Sequence, residues 1–297
     1  MAGQARFLDP AVVAKLGTID LKARTVVEGF LTGLHRSPYK GFSVEFAEYR
    51  QYLPGDDLAT LDWKIYARSD KHFVKKFEEE TNLTCHVLLD VSASMGYGSR
   101  GITKLEYGSY LAGALAYLMN RQRDAFGLLA FDEAIVSMLP ASVRGGHLRA
   151  VLVALERLKL GTRTNVAKPL RDLATAIRKR GLVVLISDLL DEPDRVIEGL
   201  KPLRHRGSDV IVFQILDPDE LNFPFDRAAR FRDMETSDEV LAIPASVRDS
   251  YLKRIQSLVE RYKRELKLAG IDHCLLETSQ PLEYGLMAYL MTRRRVP

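Results

Sequence analysis

The chain has 297 residues, 46% of them apolar and 28% charged, with a formal net charge of +4. That is enough apolar material for one large α/β core with an elaboration, and the charge is too evenly spread for a nucleic-acid binder, which clusters basic residues among aromatics. No run of about 18 apolar residues offers a membrane span, and MAGQARFLDP lacks the apolar centre of a signal peptide, so a soluble, cytoplasmic protein is expected.

The first 83 residues read as an extension. Helices are predicted over 9–16 and 19–34, followed by an aromatic, charge-rich segment from Tyr39 to Asp70. With no low-complexity linker after it, this segment is expected to pack on the core formed by residues 84–297. The core opens with CHVLLDV (85–91), an almost unbroken apolar run of the kind a strand needs when both its faces are buried. From Lys104 to Gln122 the spacing is helical: Leu105, Tyr110, Leu111, Leu115 and Leu118 line one face, and Gly108, Ala112, Gly113, Ala114 and Ala116 permit close approach.

AFGLLAF (125–131) is a second buried strand, and 134–139 returns beside it through the polar turn Asp132-Glu133. Helices follow over 146–158 and 166–179, then strand LVVLIS (182–187), helix 193–205 and strand DVIVFQIL (209–216). Short strands near 229–243, helix 246–268, strand IDHCLLE (271–277) and helix 281–291 complete the chain. Pro202 falls awkwardly inside its helix. Alternating strands and helices imply an α/β, doubly wound, mostly parallel sheet, whose ligands bind beyond the carboxyl ends of the strands where the winding reverses.

Oxygen-bearing side chains gather at those predicted ends. Asp90-Val91-Ser92-Ala93-Ser94 has polar residues at alternate positions, so 90, 92 and 94 lie on one side as the strand gives way to a loop. Thr162 and Thr164 lie in a loop before a helix, and Asp188 ends VLISD. Two carboxylates with hydroxyls suit a small hard cation such as Mg2+, and the lack of His and Cys argues against zinc. Taken singly, each hydroxyl also serves as a helix or turn cap, and Asp188 as an acceptor of backbone N–H groups.

In order and spacing, Asp90-x-Ser92-x-Ser94, Thr164 and Asp188 resemble the metal-ion-dependent adhesion site of von Willebrand factor A domains, over roughly residues 85–280. The resemblance implies that Ser92, Ser94 and Thr164 approach a Mg2+, Mn2+ or Ca2+ ion, with Asp90 and Asp188 bound directly or through water; Thr162 is the alternative to Thr164. The stretches Glu45–Arg50, Pro54–Asp57, Leu61–Lys64 and Ala67–Asp70 resemble the signature of the family called domain of unknown function 58. Its members join this segment to a von Willebrand A-like domain. Ala59 departs from the Arg often found there and cannot form the ion pair that an Arg would. The residues themselves read as a Pro-Gly turn and an ion-pair network of Arg50, Asp62, Lys64 and Arg68 around Trp63.

The resemblance implies a non-enzymatic interaction or adaptor module. Its expected partner is a MoxR-type AAA+ ATPase, engaged in assembly or chaperoning and donating an Asp or Glu to the ion. No Walker A pattern occurs in this chain. The rival reading is a phosphatase-like hydrolase with Asp90 as nucleophile. Against it, such enzymes typically carry a second Asp two residues on, where this chain has Ser92. Cys85 and Cys274 are expected to be buried reduced thiols, His86 and His273 core groups, and His147 and His205 surface helix positions.

Overall fold

The structure is a computed structural model that describes residues 9–36, 49–51, 73–75, 83–161, 167–177, 180–235 and 238–293. Two compact units divide the chain, one comprising residues 1–33 and 83–297, the other 34–82. In the smaller unit the described residues form an antiparallel pair, β1 (Tyr49–Gln51) and β2 (Phe73–Lys75), with Tyr49 opposite Lys75. The predicted network around Trp63 lies outside the described residues.

The described chain begins with helices α1 (Pro10–Ala14) and α2 (Ile19–Arg36), which belong to the larger unit as far as residue 33. Its core elements are β3 (Thr84–Asp90), α3 (Lys104–Arg121), β4 (Ala125–Phe131), β5 (Ile135–Ser142), α4 (His147–Glu156), α5 (Ala167–Ala176), β6 (Leu182–Ser187), α6 (Pro193–His205) and β7 (Asp209–Leu216). They continue with α7 (Pro218–Asn222), the hairpin β8 (Ala229–Arg232) and β9 (Glu239–Ala242), α8 (Pro244–Leu268), β10 (Asp272–Glu277) and α9 (Glu283–Arg293). The described strands of the main sheet run in the order β10-β7-β6-β3-β4-β5, all parallel except β5. The chain steps outward from β3 to β4 and β5, then returns to the other side of β3 for β6, β7 and β10. The winding therefore reverses between β3 and β6.

Each face of the sheet is covered, which explains the continuous apolar runs. On one face Leu88, Val183, Leu185 and Val212 pack with Leu170 and Leu173 of α5, Leu200 of α6 and Tyr262 of α8. On the other lies α3, and the small residues read from the sequence act there. A Cβ on Gly108 would stand 3.0 Å from Leu89 and 3.1 Å from Ile186, and one on Gly113 3.5 Å from Ile19 of α2. Helix α3 is covered on its far side too, because Lys22 of α2 donates to the Tyr110 hydroxyl (3.0 Å). A wider part of α3 is consequently buried than one amphipathic stripe predicts, with Tyr107 fully buried and Leu105 only half-buried.

Local chemistry sets the ends of these elements. Thr103 caps α3 in a reciprocal box with Glu106, and Asp132 closes the β4–β5 turn by accepting from the Ala134 amide (3.0 Å). Pro202 sits inside α6. His147 differs from expectation: it is half-buried at the start of α4, its Nε2 2.6 Å from the Phe126 carbonyl. Cys85 is buried and Cys274 half-buried, and the two are not joined in a disulfide. No helix among the described residues is long and apolar enough to cross a membrane.

Candidate functional site

The reversal point between β3 and β6 is where Asp90 and Asp188 emerge. Asp90 ends β3, Asp188 directly follows β6, and Asp90, Ser92, Ser187 and Asp188 are all fully buried. A buried carboxylate needs donors, and those on Asp90 are neutral: the Ser92 amide donates to Oδ1 (2.9 Å) and the Ser187 hydroxyl to Oδ2 (2.6 Å). Ser92 and Ser94 hydroxyls lie 3.1 Å apart, one donating to the other. Burial, and then the nearby Asp188 carboxylate, push the Asp90 pKa up from its ordinary value.

Asp188 has a different set of partners. Lys104, the first residue of α3, places its Nζ 2.8 Å from Asp188 Oδ2 and 2.6 Å from Glu220 Oε1 of α7. The Leu190 amide donates weakly to Oδ1 (3.3 Å), and Gln214 of β7 donates to the Asp188 carbonyl (3.2 Å). Gln214 is held in turn by His273 Nε2 of β10 at 3.1 Å. Burial alone would lower the Lys104 pKa, but the Asp188 and Glu220 carboxylates outweigh it and hold that pKa above its ordinary value. For Glu220, burial prevails over Lys104 and raises the pKa.

The backbone at this corner is strained. Leu189 has φ +55°, a left-handed conformation uncommon for a branched residue. Ser187 supports it: its hydroxyl accepts from the Leu189 amide (3.0 Å) while donating to Asp90. One serine thus couples the two strand ends.

Beside the site a groove of about 670 Å3 opens, with Ser94 and Glu220 among its lining residues and Phe223, Phe225, Phe231 and Tyr251 forming an aromatic cluster. Phe223 stacks on Phe231 (5.5 Å) and meets Phe225 edge-on (5.1 Å). Leu190 and Met234, each 43% exposed, belong to the same lining.

Of the residues singled out from the sequence, Asp90, Ser92 and Ser94 meet at one turn, with Asp188 on the neighbouring strand end. Thr164 and its alternative Thr162 lie outside the described residues. Gly161, the last described residue before them, donates to the Val91 carbonyl (2.6 Å). Among the described residues no group of three His, Cys, Asp or Glu side chains is arranged to hold a metal ion. Hydroxyls and a pair of carboxylates are the donors available, and these are ligands for a hard cation. Three carboxyl groups, Asp90, Asp188 and Glu220, share this corner with the Lys104 ammonium, which bonds to the last two and leaves Asp90 with neutral donors.

Sequence reading missed Lys104, Ser187 and Glu220. A signal existed for the first: a lysine at the opening residue of a helix faces the positive end of the helix dipole, so its cation needs another reason to be there.

The family model described as "Protein of unknown function DUF58" matches residues 48–261. The uncharacterized proteins Rv1480 of Mycobacterium tuberculosis and Mb1516 of Mycobacterium bovis are each 25% identical over 293 residues, covering 97% of this chain and 91% of theirs. Among solved structures, the conserved hypothetical protein BatB from Bacteroides thetaiotaomicron matches 71% of this chain and 99% of its own with a TM-score of 0.50 at 13% identity. An aerotolerance-related membrane protein from Bacteroides fragilis matches 72% of this chain and 100% of its own with a TM-score of 0.51 at 15% identity. At those identities the likeness speaks to the fold.

Proposed function

The chain belongs to the DUF58 family and has the von Willebrand factor A-like α/β fold, and from these we propose that it is a non-enzymatic interaction module that grips an acidic side chain of a protein partner through a divalent cation. The observation that carries the reading is the convergence of Asp90, Ser92, Ser94 and Asp188 at the point where the sheet winding reverses. Asp90, Ser92 and Ser94 of the β3 turn would hold Mg2+, Mn2+ or Ca2+ with Asp188, and Thr164 is proposed to join them. Bound there, the ion supplies an open coordination position of positive character for a partner's Asp or Glu. The groove beside Ser94 gives room for the residues flanking that carboxylate.

The expected partner is a MoxR-type AAA+ ATPase in the cytoplasm, which would bring the nucleotide hydrolysis this chain has no motif for. Attack on phosphorus by Asp90 is disfavoured by its surroundings. It is fully buried, and each oxygen already accepts a hydrogen bond.

Differential scanning fluorimetry of chelator-treated protein tests the cation. Saturating Mg2+ is expected to stabilise the wild type by roughly 2–3 kcal/mol at a concentration about 100 times Kd, and Ser92→Ala with Ser94→Ala to remove that gain. Pull-down with a MoxR-type ATPase, with and without EDTA, tests the partner. A wild-type chain that neither binds Mg2+ nor captures the ATPase in a chelator-sensitive way sinks the reading. Phosphate release from a panel of phosphoesters, abolished by Asp90→Asn, would replace it with the hydrolase.

A further inference from the structure

Lys104 is the feature of the site that cation binding does not explain. Its side chain is fully buried, yet it opens α3, where the helix dipole repels a cation. Two anchors hold it. One is Asp188 Oδ2 at 2.8 Å. The other is Glu220 Oε1 at 2.6 Å, on a side chain whose Oε2 is itself fixed by the Asp217 amide (2.8 Å). Both sit beside the place where the Asp90 turn would hold an ion. An ammonium so close takes one of the two oxygens of Asp188 and adds a like charge next to the ion, and both effects oppose divalent binding in a buried site. Glu220 acts with the opposite sign. It also lines the groove next to Ser94, so the wall a partner would touch is tied through Lys104 to Asp188.

Resting on the cation reading above, we propose that Lys104 is a tethered competitor for Asp188 that keeps the bare site's hold on a divalent ion weak, so that the ion is retained when a partner's carboxylate completes its coordination. The site then discriminates between partner-bound and free states: binding needs the ion and the acidic side chain together. Glu220 is the residue through which the groove wall reports to that balance.

Isothermal titration of Mg2+ into the chelator-treated full chain tests this by sign. Lys104→Met is expected to bind Mg2+ at least about tenfold tighter than wild type, and Glu220→Gln several-fold weaker, because they remove charges of opposite sign beside the ion. Lys104→Arg, which keeps the charge, is expected to stay within about threefold of wild type. A merely structural role for the lysine predicts weaker binding in both charge-removing variants. Wild type that binds Mg2+ while Lys104→Met binds no tighter overturns the competitor role and leaves the cation site standing. No binding by either protein overturns the cation reading and this inference with it; binding by Lys104→Met alone supports both. Should Lys104→Met fold only when Mg2+ is added, followed by circular dichroism, the ion is replacing the lysine and the proposal stands. Should it not fold at any Mg2+ concentration, Glu220→Gln decides, with weaker binding in support and unchanged or tighter binding against.

Discussion

Ser187 touches both carboxylate-bearing strand ends, donating to Asp90 and accepting from the strained Leu189 amide. Ser187→Ala leaves one buried carboxylate oxygen and one buried amide without these partners, and each such loss costs about 1–3 kcal/mol. A fall in stability of about 2–6 kcal/mol from the two losses together, read from the midpoint of urea unfolding, is the expected outcome. His273, which holds the Gln214 that donates to the Asp188 carbonyl, supplies a pH dependence of its own. Burial first, and the Lys263 charge next, push its pKa from 6.5 down to about 4. The folded state therefore prefers the neutral ring, and its stability is intact above pH 6.5 and declines as pH falls from there toward 4. Urea midpoints at pH 7 and pH 4.5 are expected to differ more for wild type than for His273→Gln, and equal differences would remove His273 from the account.

At the scale of elements, α3 is the piece that links the sheet, α2 and the site. It presents small residues to β3 and β6, and its first residue is Lys104. The Thr103–Glu106 capping box sets where that first turn begins. Thr103→Ala is expected to cost about 1 kcal/mol and, by loosening the turn that carries Lys104, to alter Mg2+ affinity as well. An equal loss of stability with unchanged affinity would separate the cap from the site. Gly108→Leu tests the packing, because the three nearest side chains, Leu89, Ile186 and Ile215, belong to three strands. Thermal unfolding is expected to show destabilisation of about 1–3 kcal/mol from overpacking.

Over the whole molecule, burial separates the scaffold from the rim. Phe213 lies fully inside on β7, and Phe213→Ala is expected to cost about 3–5 kcal/mol. Leu241 on the β8–β9 hairpin is 76% exposed, and Leu241→Ser is expected to move stability by less than about 0.5 kcal/mol. Both are measured by chemical denaturation. The strands and most helices of the larger unit were legible in the chain itself, because a strand buried on both faces must be apolar throughout and a helix must repeat its apolar face. The same rule made Asp90 and Asp188 conspicuous, since each carboxylate closes an otherwise unbroken apolar run. Tertiary structure alone decided that β6 lies against β3, which joins those two ends, and that α2 covers the far side of α3. It also decided the pairing of Lys104 with Asp188, 84 residues away, and with Glu220, 116 away. Hydrophobic periodicity is a local signal and survives in a one-dimensional reading. The partner of a buried charge depends on which distant segments the fold brings within about 3 Å, and no spacing along the chain encodes that.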